Sequence, residues 1–415
     1  MKITAIIAII IIVVSVVCVC LAGCTPKADV VKPNVKTPAF AKPDAEVLSN
    51  EEYRNAINDF AFDLFKTLKN EDNACVSPLS IYLAFAILSN GADGDTLEQI
   101  AETMNLEPEE IKEYCSYLYK LYQDDESNAD VVKIANSVWF KEVFAPKQSF
   151  VDDAFNYFDA DIIKANFDAV TVRQTNAWVK EKTNGMIDKI VDKYSSNTIL
   201  QIIDALTFID DWSSKLGDGT REFTNADGTK KTVDGGWKTL NSYYETEKAE
   251  GFSYAFENQR FSFIGILPKC NVEEYLDILD GVEFQTLLSN RNDDYDKVKT
   301  FVPYFELDYD VDLIPSLKSS GIIDAFDPIK ANFSNGWDTS KQNVFVSVVK
   351  HKTHFELSQT GVRAAAATTI MADCTSVAPD REPKIKFITL DRPFVYMIID
   401  NVYNVPIFIG TVKTL

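Results

Sequence analysis

Histidine is scarce in this chain of 415 residues, with only His351 and His354, both inside the apparent strand VSVVKHKTHFEL. Residues three apart on a strand point to opposite faces, so the two imidazoles cannot share a metal ion without a bulge. The chain also lacks a GxSxG elbow, a Walker loop, a CxxC pair and an HExxH helix. The sequence therefore predicts no catalytic residue, no metal site and no cofactor. His351 is expected to be a buried, hydrogen-bonded side chain rather than the partner of a serine nucleophile.

Glycine and proline are also few, at 16 and 15 residues, while 46% of the chain is hydrophobic and 12% aromatic. This composition argues against disorder and predicts a large buried core. The cysteines outside the first 24 residues are widely spaced, match no metal framework, and are not needed as disulfides in a chain this long. We expect free thiols at four positions: Cys75, Cys115, Cys270 and Cys374.

Basic residues are also few relative to acidic ones: the chain has 41 lysines and arginines but 62 aspartates and glutamates, which gives a net charge of −21. The sequence contains no basic cluster that would reverse this balance locally. Nucleic acid and heparin-type polysaccharides are therefore not expected as partners. The acidic surface would steer a cationic protein partner toward it, but simple solubility is the more ordinary reason for such a surface.

The first residues point to export. Residues 1–23 carry one lysine and a long apolar run, and they end in Leu-Ala-Gly before Cys24, as in a bacterial lipobox. We expect cleavage before Cys24, lipid attachment to it, and a body anchored to the cell envelope and facing outside; the alternative is a plain transmembrane anchor. Residues 24–45 are rich in proline and lysine and are predicted to form an extended tether.

Residues 46–415 are predicted to form one α+β domain, because helical patterns dominate the first half and strand patterns the second. Helices are expected after the caps Asn50 and Ser77, the second being buried and ending at Asn90-Gly91. The other predicted helices cover 96–106, 114–122, 148–156 and 171–192. The predicted strands cover 131–140, 202–210, 261–269, 298–309, 343–357 and 393–412.

Segments along residues 50–415 resemble the serpin family, the suicide-substrate inhibitors of proteases. The matching segments occur in the family's order: SPLSIYLAFAILSNGA, NSVWF, TNAWVKEKTNGMIDKIV, a block over 200–212, ILPK, LKSSGIIDAFD, VVKHKTHFELSQTGVRAAAATT, and DRPFVYMIID with PIFIGTV. The resemblance implies three β-sheets, about nine helices and an exposed reactive-centre loop. It also implies that a protease attacks this loop and is acylated by it, after which the loop inserts into the central sheet and traps the enzyme. The alternative is a non-inhibitory binding or structural protein with the same fold.

The resemblance assigns the hinge of the loop to Gln359, Gly361, Val362, Arg363, Ala364, Ala365, Ala366, Ala367 and Thr368. On an inserted strand, Val362, Ala364, Ala366 and Thr368 would share one face, and Arg363, Ala365 and Ala367 the other. If the first face is the core face, Arg363 stays in solvent. Gln359 and Val362 depart from the family, which usually has an acidic residue and a Thr or Ser at these two positions.

Counted from the hinge glycine as in the family, the resemblance implies a scissile bond between Thr375 and Ser376, with Cys374 and Val377 as alternatives. These side chains are small or β-branched, and none is basic. The expected partner is therefore an elastase-like serine protease with a shallow primary pocket, and possible further partners are cysteine proteases.

The resemblance also assigns a cluster that guards sheet opening to Ser77, Ser80, His351 and Asp204, where the family has asparagine instead of Asp204. An aspartate beside His351 could form a charged pair or a neutral hydrogen bond. The sequence leaves both open.

Overall fold

The computed structural model describes residues 27–36, 44–123, 131–340, 342–362 and 382–415. These residues form an α+β fold with three sheets, as predicted. Its ten described α-helices are α1 (Ala45–Ser49), α2 (Glu51–Lys66), α3 (Pro78–Ser89), α4 (Gly94–Met104), α5 (Pro108–Gln123), α6 (Gln148–Phe158), α7 (Ala169–Lys182), α8 (Val272–Ile278), α9 (Gly281–Ser289) and α10 (Ile314–Ser319). Within these ranges no helix combines the length and the apolar character needed to cross a bilayer.

The large sheet has eight strands of mixed direction. Its order is β1 (Asp29–Val30), β4 (Asp161–Ala165), β3 (Val132–Lys141), β5 (Leu200–Phe208), β15 (Val346–Leu357), β16 (Gly361–Val362) and β6 (Asp210–Asp211), and β14 (Phe305–Asp312) pairs with the other edge of β15. Strand β15 is parallel to β5 but antiparallel to β14 and β16.

The other two sheets support the large one. The second sheet runs β12 (Arg291–Asn292), β9 (Tyr243–Glu245), β10 (Ala249–Ala255), β11 (Phe261–Pro268), β18 (Phe394–Asp400), β19 (Val405–Val412) and β2 (Asn73–Val76). The small sheet runs β17 (Ile385–Thr389), β13 (Lys297–Pro303), β8 (Lys230–Leu240) and β7 (Gly217–Thr224). Every residue of β11, β18 and β19 is buried, so the second sheet lies in the core.

Helix α3 lies at the centre of the protein, between the large and second sheets, where it contacts β5 and β19. Ser77 caps its first turn by accepting the backbone N–H of Ser80, and Pro78 occupies the first helical position. All twelve residues of the helix are buried. The sequence prediction of a wholly buried helix that ends before Asn90 is confirmed.

Several predicted elements differ from the structure. The helix predicted over 171–192 ends at Lys182, because Asn184 and Gly185 adopt positive φ values of 51° and 83° that an α-helix cannot continue through. The single strand predicted over 298–309 is two strands, β13 and β14, in different sheets. Strands β7 to β10 and helices α8 to α10 were not predicted. The three described cysteines, Cys75, Cys115 and Cys270, are free thiols, and Cys374 lies outside the described residues.

Part of the segment expected to be a tether lies against the body. Strand β1 pairs antiparallel with β4, and the Val31 N–H donates to the Ile162 carbonyl at 2.8 Å. Asp152 on α6 accepts both the backbone N–H and the side-chain amide of Asn34, at 2.7 and 3.1 Å. These hydrogen bonds hold the pKa of Asp152 below its usual value. Residues 27–36 therefore extend the large sheet by one short edge strand.

We predict that Asp152→Ala frees this segment while leaving the body folded. The exposed contact contributes about 1 kcal/mol or less to global stability, but it holds the Asn34 end of the segment. Limited proteolysis and amide hydrogen exchange should show faster cleavage and exchange over 27–36. Asp153→Ala is the matched control, because Asp153 pairs with Lys112 instead. Equal exchange rates in both variants would show that Asp152 does not hold the segment.

Candidate functional site

The candidate site is an opening in the large sheet between β5 and β15. The parallel register between these strands runs from Leu200 opposite Val346 to Asp204 opposite His351, and there it ends. Above that point β15 continues to Leu357 and β5 to Phe208, without a register between them in the described residues. The opening closes again only at its top, where β16 lies between β15 and β6.

The lower end of the opening is closed by the cluster that the sequence assigned to sheet opening. His351 and Asp204 face each other with Nδ1 and Oδ1 3.2 Å apart, and their side chains are only 1% and 3% exposed. The Ser77 backbone N–H donates to His351 Nε2 at 3.1 Å, and the Ser80 hydroxyl donates to Asp204 Oδ2. The structure thus brings all four predicted residues together at the N-terminus of α3.

The hydrogen-bond donors around His351 determine which nitrogen of its imidazole ring carries the proton. A backbone N–H can only donate, so Nε2 of His351 must accept and carries no proton. The remaining ring proton is then on Nδ1 and is donated to Asp204. This arrangement is a neutral imidazole on a carboxylate, which corresponds to the neutral hydrogen bond rather than to the charged pair.

Asn136 is a member of this cluster that the sequence analysis missed. It lies on β3 directly opposite Asp204 and is 2% exposed. Among the described residues, neither Nδ2 nor Oδ1 of its side chain has a hydrogen-bond partner, so the cluster retains a buried polar group that a rearrangement could satisfy. The signal for it was present in NSVWF, where the polar Asn136 and Ser137 directly precede three apolar residues of the same strand.

The upper end of the opening holds the start of the hinge. Val362 pairs with Leu357 on one side and Asp210 on the other, and its side chain is 2% exposed. A β-carbon on Gly361 would lie 2.2 Å from the Asp210 carbonyl oxygen, so only glycine fits between β15 and β6. Gln359 contributes its backbone carbonyl, which accepts the Leu216 N–H at 3.2 Å.

Trp212 fastens the turn that connects β15 to β16. Its backbone N–H donates to the Thr360 carbonyl at 2.7 Å, and its indole N–H donates to the Ser358 carbonyl at 3.0 Å. The indole ring stacks on Phe256 with 4.6 Å between the centroids. Trp212 ended one of the sequence segments that resemble the serpin family, but its role in holding the hinge was not predicted.

Asp210 is a second group that the sequence analysis missed. Its side chain lies on the core face of β6, beside Val362, and burial raises its pKa to about 6. The Asn258 backbone N–H, 3.3 Å from Oδ2, offsets this only in part. At neutral pH an ionised carboxylate is therefore held in an unfavourable environment at the top of the opening.

Cys24 and the loop residues from Arg363 onward lie outside the described residues. This applies to the rest of the hinge and to every candidate for the scissile bond: Arg363, Ala364, Ala365, Ala366, Ala367, Thr368, Cys374, Thr375, Ser376 and Val377.

Comparison with known proteins defines the family. The family model described as Serpin (serine protease inhibitor) matches residues 55–414, and the chain therefore belongs to the serpin family. An uncharacterized serpin-like protein of Thermococcus kodakarensis is 28% identical over 367 residues, which cover 86% of this chain and 84% of that protein. The family is one of protease inhibitors in general rather than of enzymes.

Solved structures agree with this assignment. The thermophilic serpin Tengpin is 33% identical; its native state gives a TM-score of 0.85 and covers 94% of this chain and 100% of its own. Its latent state gives a lower TM-score of 0.75, with coverages of 88% and 98%. Human thyroxine-binding globulin, in complex with thyroxine, shares the fold alone, with 20% identity, a TM-score of 0.77 and coverages of 89% and 99%.

We predict that Asp210→Asn stabilises the protein at neutral pH. Because the pKa of Asp210 is raised by folding, the native state binds more protons than the unfolded chain between pH about 4 and about 6. Stability is therefore lost as the pH rises through this window, and the variant escapes the loss. We expect a gain of roughly 1 kcal/mol at pH 8, after discounting for solvent screening, that disappears near pH 4.

Thermal unfolding of the two proteins from pH 4 to pH 8 measures this difference. Asp293→Asn is the control, because it removes the same charge from an exposed ion pair with Arg291. A constant difference between wild type and Asp210→Asn at every pH would contradict the assignment of the shifted pKa to Asp210.

Proposed function

We propose that this protein is a suicide-substrate inhibitor of serine proteases with a small primary pocket, such as elastase-like enzymes. The protease is acylated by the reactive-centre loop, and the loop then enters the opening between β5 and β15 as a new strand. The observation that carries this proposal is that the first hinge residues, Gly361 and Val362, are already seated at the top of that opening.

The two registers recorded at the top of the opening predict how far the loop can enter freely. On one side Val362 is opposite Leu357, and on the other it is opposite Asp210. Continued without a bulge, both registers bring Thr368 to the same place, opposite His351 and opposite Asp204. Arg363 to Ala367 would fill the open part of the sheet, and Thr368 would have to separate the Asp204–His351 pair.

The same registers account for the alanines on the core face. Ala364 would enter between Phe355 and Phe208, which are 1% and 5% exposed. Ala366 would follow between Thr353 and Leu206, which are also buried. Large side chains at positions 364 and 366 would have to displace this packed layer, so methyl groups are the side chains that can pass and remain.

The opposite face would carry the charged hinge residue. Arg363 would be placed opposite Glu356, whose neighbour across β14 is Glu306. An arginine beside two carboxylates at the sheet surface would gain a modest ion pair instead of a buried charge. Ala365 and Ala367 would face outward opposite His354 and Lys352, where there is room for larger side chains.

The unpaired edge of β15 would supply free energy for insertion of the loop. Residues 352–356 of β15 have no strand partner on the side of β5 among the described residues, although their other edge pairs with β14. An inserted strand would pair both edges of the opening, and each hydrogen bond gained contributes about 0.5–1.5 kcal/mol net. The methyl groups buried on the core face would add to this.

The target class follows from the expected scissile bond at Thr375–Ser376, where no basic or large aromatic side chain is offered. The net charge of −21 supports steering of a cationic protease. Export and a lipid anchor at Cys24 would present the loop outside a bacterial cell. A non-inhibitory binding role is the second candidate, favoured by the departures at Gln359 and Val362 and by the fold shared with thyroxine-binding globulin.

We predict a covalent complex with an elastase-like protease. On mixing, a species near the summed mass of the two proteins should survive denaturing electrophoresis, and a trypsin-like protease should give little of it. Cleavage of the loop by every protease tested, without such a species, would favour the non-inhibitory role.

The matched pair Ala366→Arg and Ala367→Arg tests the face assignment in the same assay. Ala366→Arg should be cleaved as a substrate with loss of the complex, because a guanidinium would have to enter the layer between Thr353 and Leu206. Ala367→Arg should retain most of the complex. Equal behaviour of the two variants would show that the registers do not continue into the loop as proposed.

A further inference from the structure

The outer face of the β14–β15 pair carries a ladder of charged residues. The strand order places Asp312 opposite Lys350, Asp310 opposite Lys352, Asp308 opposite His354, and Glu306 opposite Glu356. Going up the ladder, the partners thus change from lysine to histidine and then to glutamate. The upper end lies next to Leu357, where β15 turns into the hinge.

The upper two cross-strand pairs of this ladder, Asp308–His354 and Glu306–Glu356, contain three carboxylates but no lysine or arginine. Glu306 and Glu356 are like charges directly opposite each other, an arrangement that is unfavourable in a sheet. Among the described residues, neither forms an ion pair. Next to them, His354 Nδ1 lies 2.9 Å from Asp308 Oδ1, and it is the only basic partner on these two rungs. The lower rungs differ, because Lys350 lies 3.6 Å from Asp310.

Three of these side chains converge on one point. Each of Glu306, Asp308 and His354 offers a ligand atom, and these atoms all lie within 4.8 Å of one another. We propose that they form a binding site for a divalent transition-metal ion of the zinc type. The ion would bridge β14 and β15 at the hinge end of the large sheet.

The donor set fits this class of ion. One imidazole nitrogen with two carboxylate oxygens is a combination that Zn²⁺ and Co²⁺ bind, with bonds of about 2.0–2.2 Å. Ligand atoms around such an ion are about 3.0–3.5 Å apart. The Asp308–His354 distance is already near that range, and small rotations of the exposed Glu306 side chain would complete it. Water would occupy the remaining positions.

Packed aromatic rings lie beneath the site. Phe305 and Phe355, on the buried face of the same two strands, stack with 5.6 Å between their ring centroids. Two of the three ligands, Glu306 and Asp308, are exposed, so an ion can reach the site from solvent. The sequence argument against a shared ion for His351 and His354 still holds, because the ligands here come from two different strands.

The test is a titration of the full chain with Co²⁺, followed by its visible absorption, and competition by Zn²⁺. We expect one equivalent of Co²⁺ to bind with an absorption band that Zn²⁺ abolishes, and either ion to raise the Tm. His354→Ala and Glu306→Gln should each weaken this binding at least about tenfold.

Asp312→Asn is the matched control, because it removes one negative charge from the far end of the same face without touching the three ligands. Its affinity should equal that of the wild type. If His354→Ala does not fold, Glu306→Gln alone tests the proposal, because Glu306 is exposed and its substitution should leave the fold intact. The proposal is overturned if no binding is seen at millimolar ion, or if Glu306→Gln and Asp312→Asn bind as tightly as the wild type.

Discussion

The contact between Asp204 and His351 is the point on which the large sheet depends. Below it β5 and β15 form a parallel pair, and above it they separate around an opening. Its two side chains are tied to Ser77 and Ser80 at the start of α3, which is buried along its whole length. Helix α3 also packs on the second sheet. Any widening of the opening must therefore disturb the packing of α3 at the centre of the protein.

Other features of the opening are energetically unfavourable while Asp204 and His351 stay in contact. Among the described residues, one edge of β15 has no strand partner over 352–356, and the side-chain amide of Asn136 is buried without a hydrogen-bond partner. Asp210 is ionised in a partly desolvated position at neutral pH. The strand insertion proposed above would pair the free edge of β15. Meanwhile Trp212 and the glycine at 361 hold the hinge at the top of the opening. The opening is thus closed at its lower end by Asp204 and His351, and its upper end already holds Gly361 and Val362. The strand insertion proposed above would start from this arrangement.

The sequence predicted the features that depend on local patterns. The cap and burial of α3 follow from Ser77, Pro78 and an apolar run, and the family resemblance identified the four residues that meet at the lower end. Features set by contacts between distant segments were missed. Trp212 donates to Ser358 and Thr360, far away in the chain, and Asn136 reaches the cluster only through its cross-strand position opposite Asp204. Strands β7 and β8 carry many glycines and charges that hide a strand pattern. The site on β14 and β15 exists only through a cross-strand register.

The central claim concerns where the loop goes after cleavage, and a crystal structure of the loop-cleaved protein tests it most directly. The account predicts a new strand between β5 and β15, with Ala364 between Phe355 and Phe208 and with Thr368 between Asp204 and His351. A cleaved structure in which Asp204 and His351 remain in contact, with the loop outside the sheet, would contradict it.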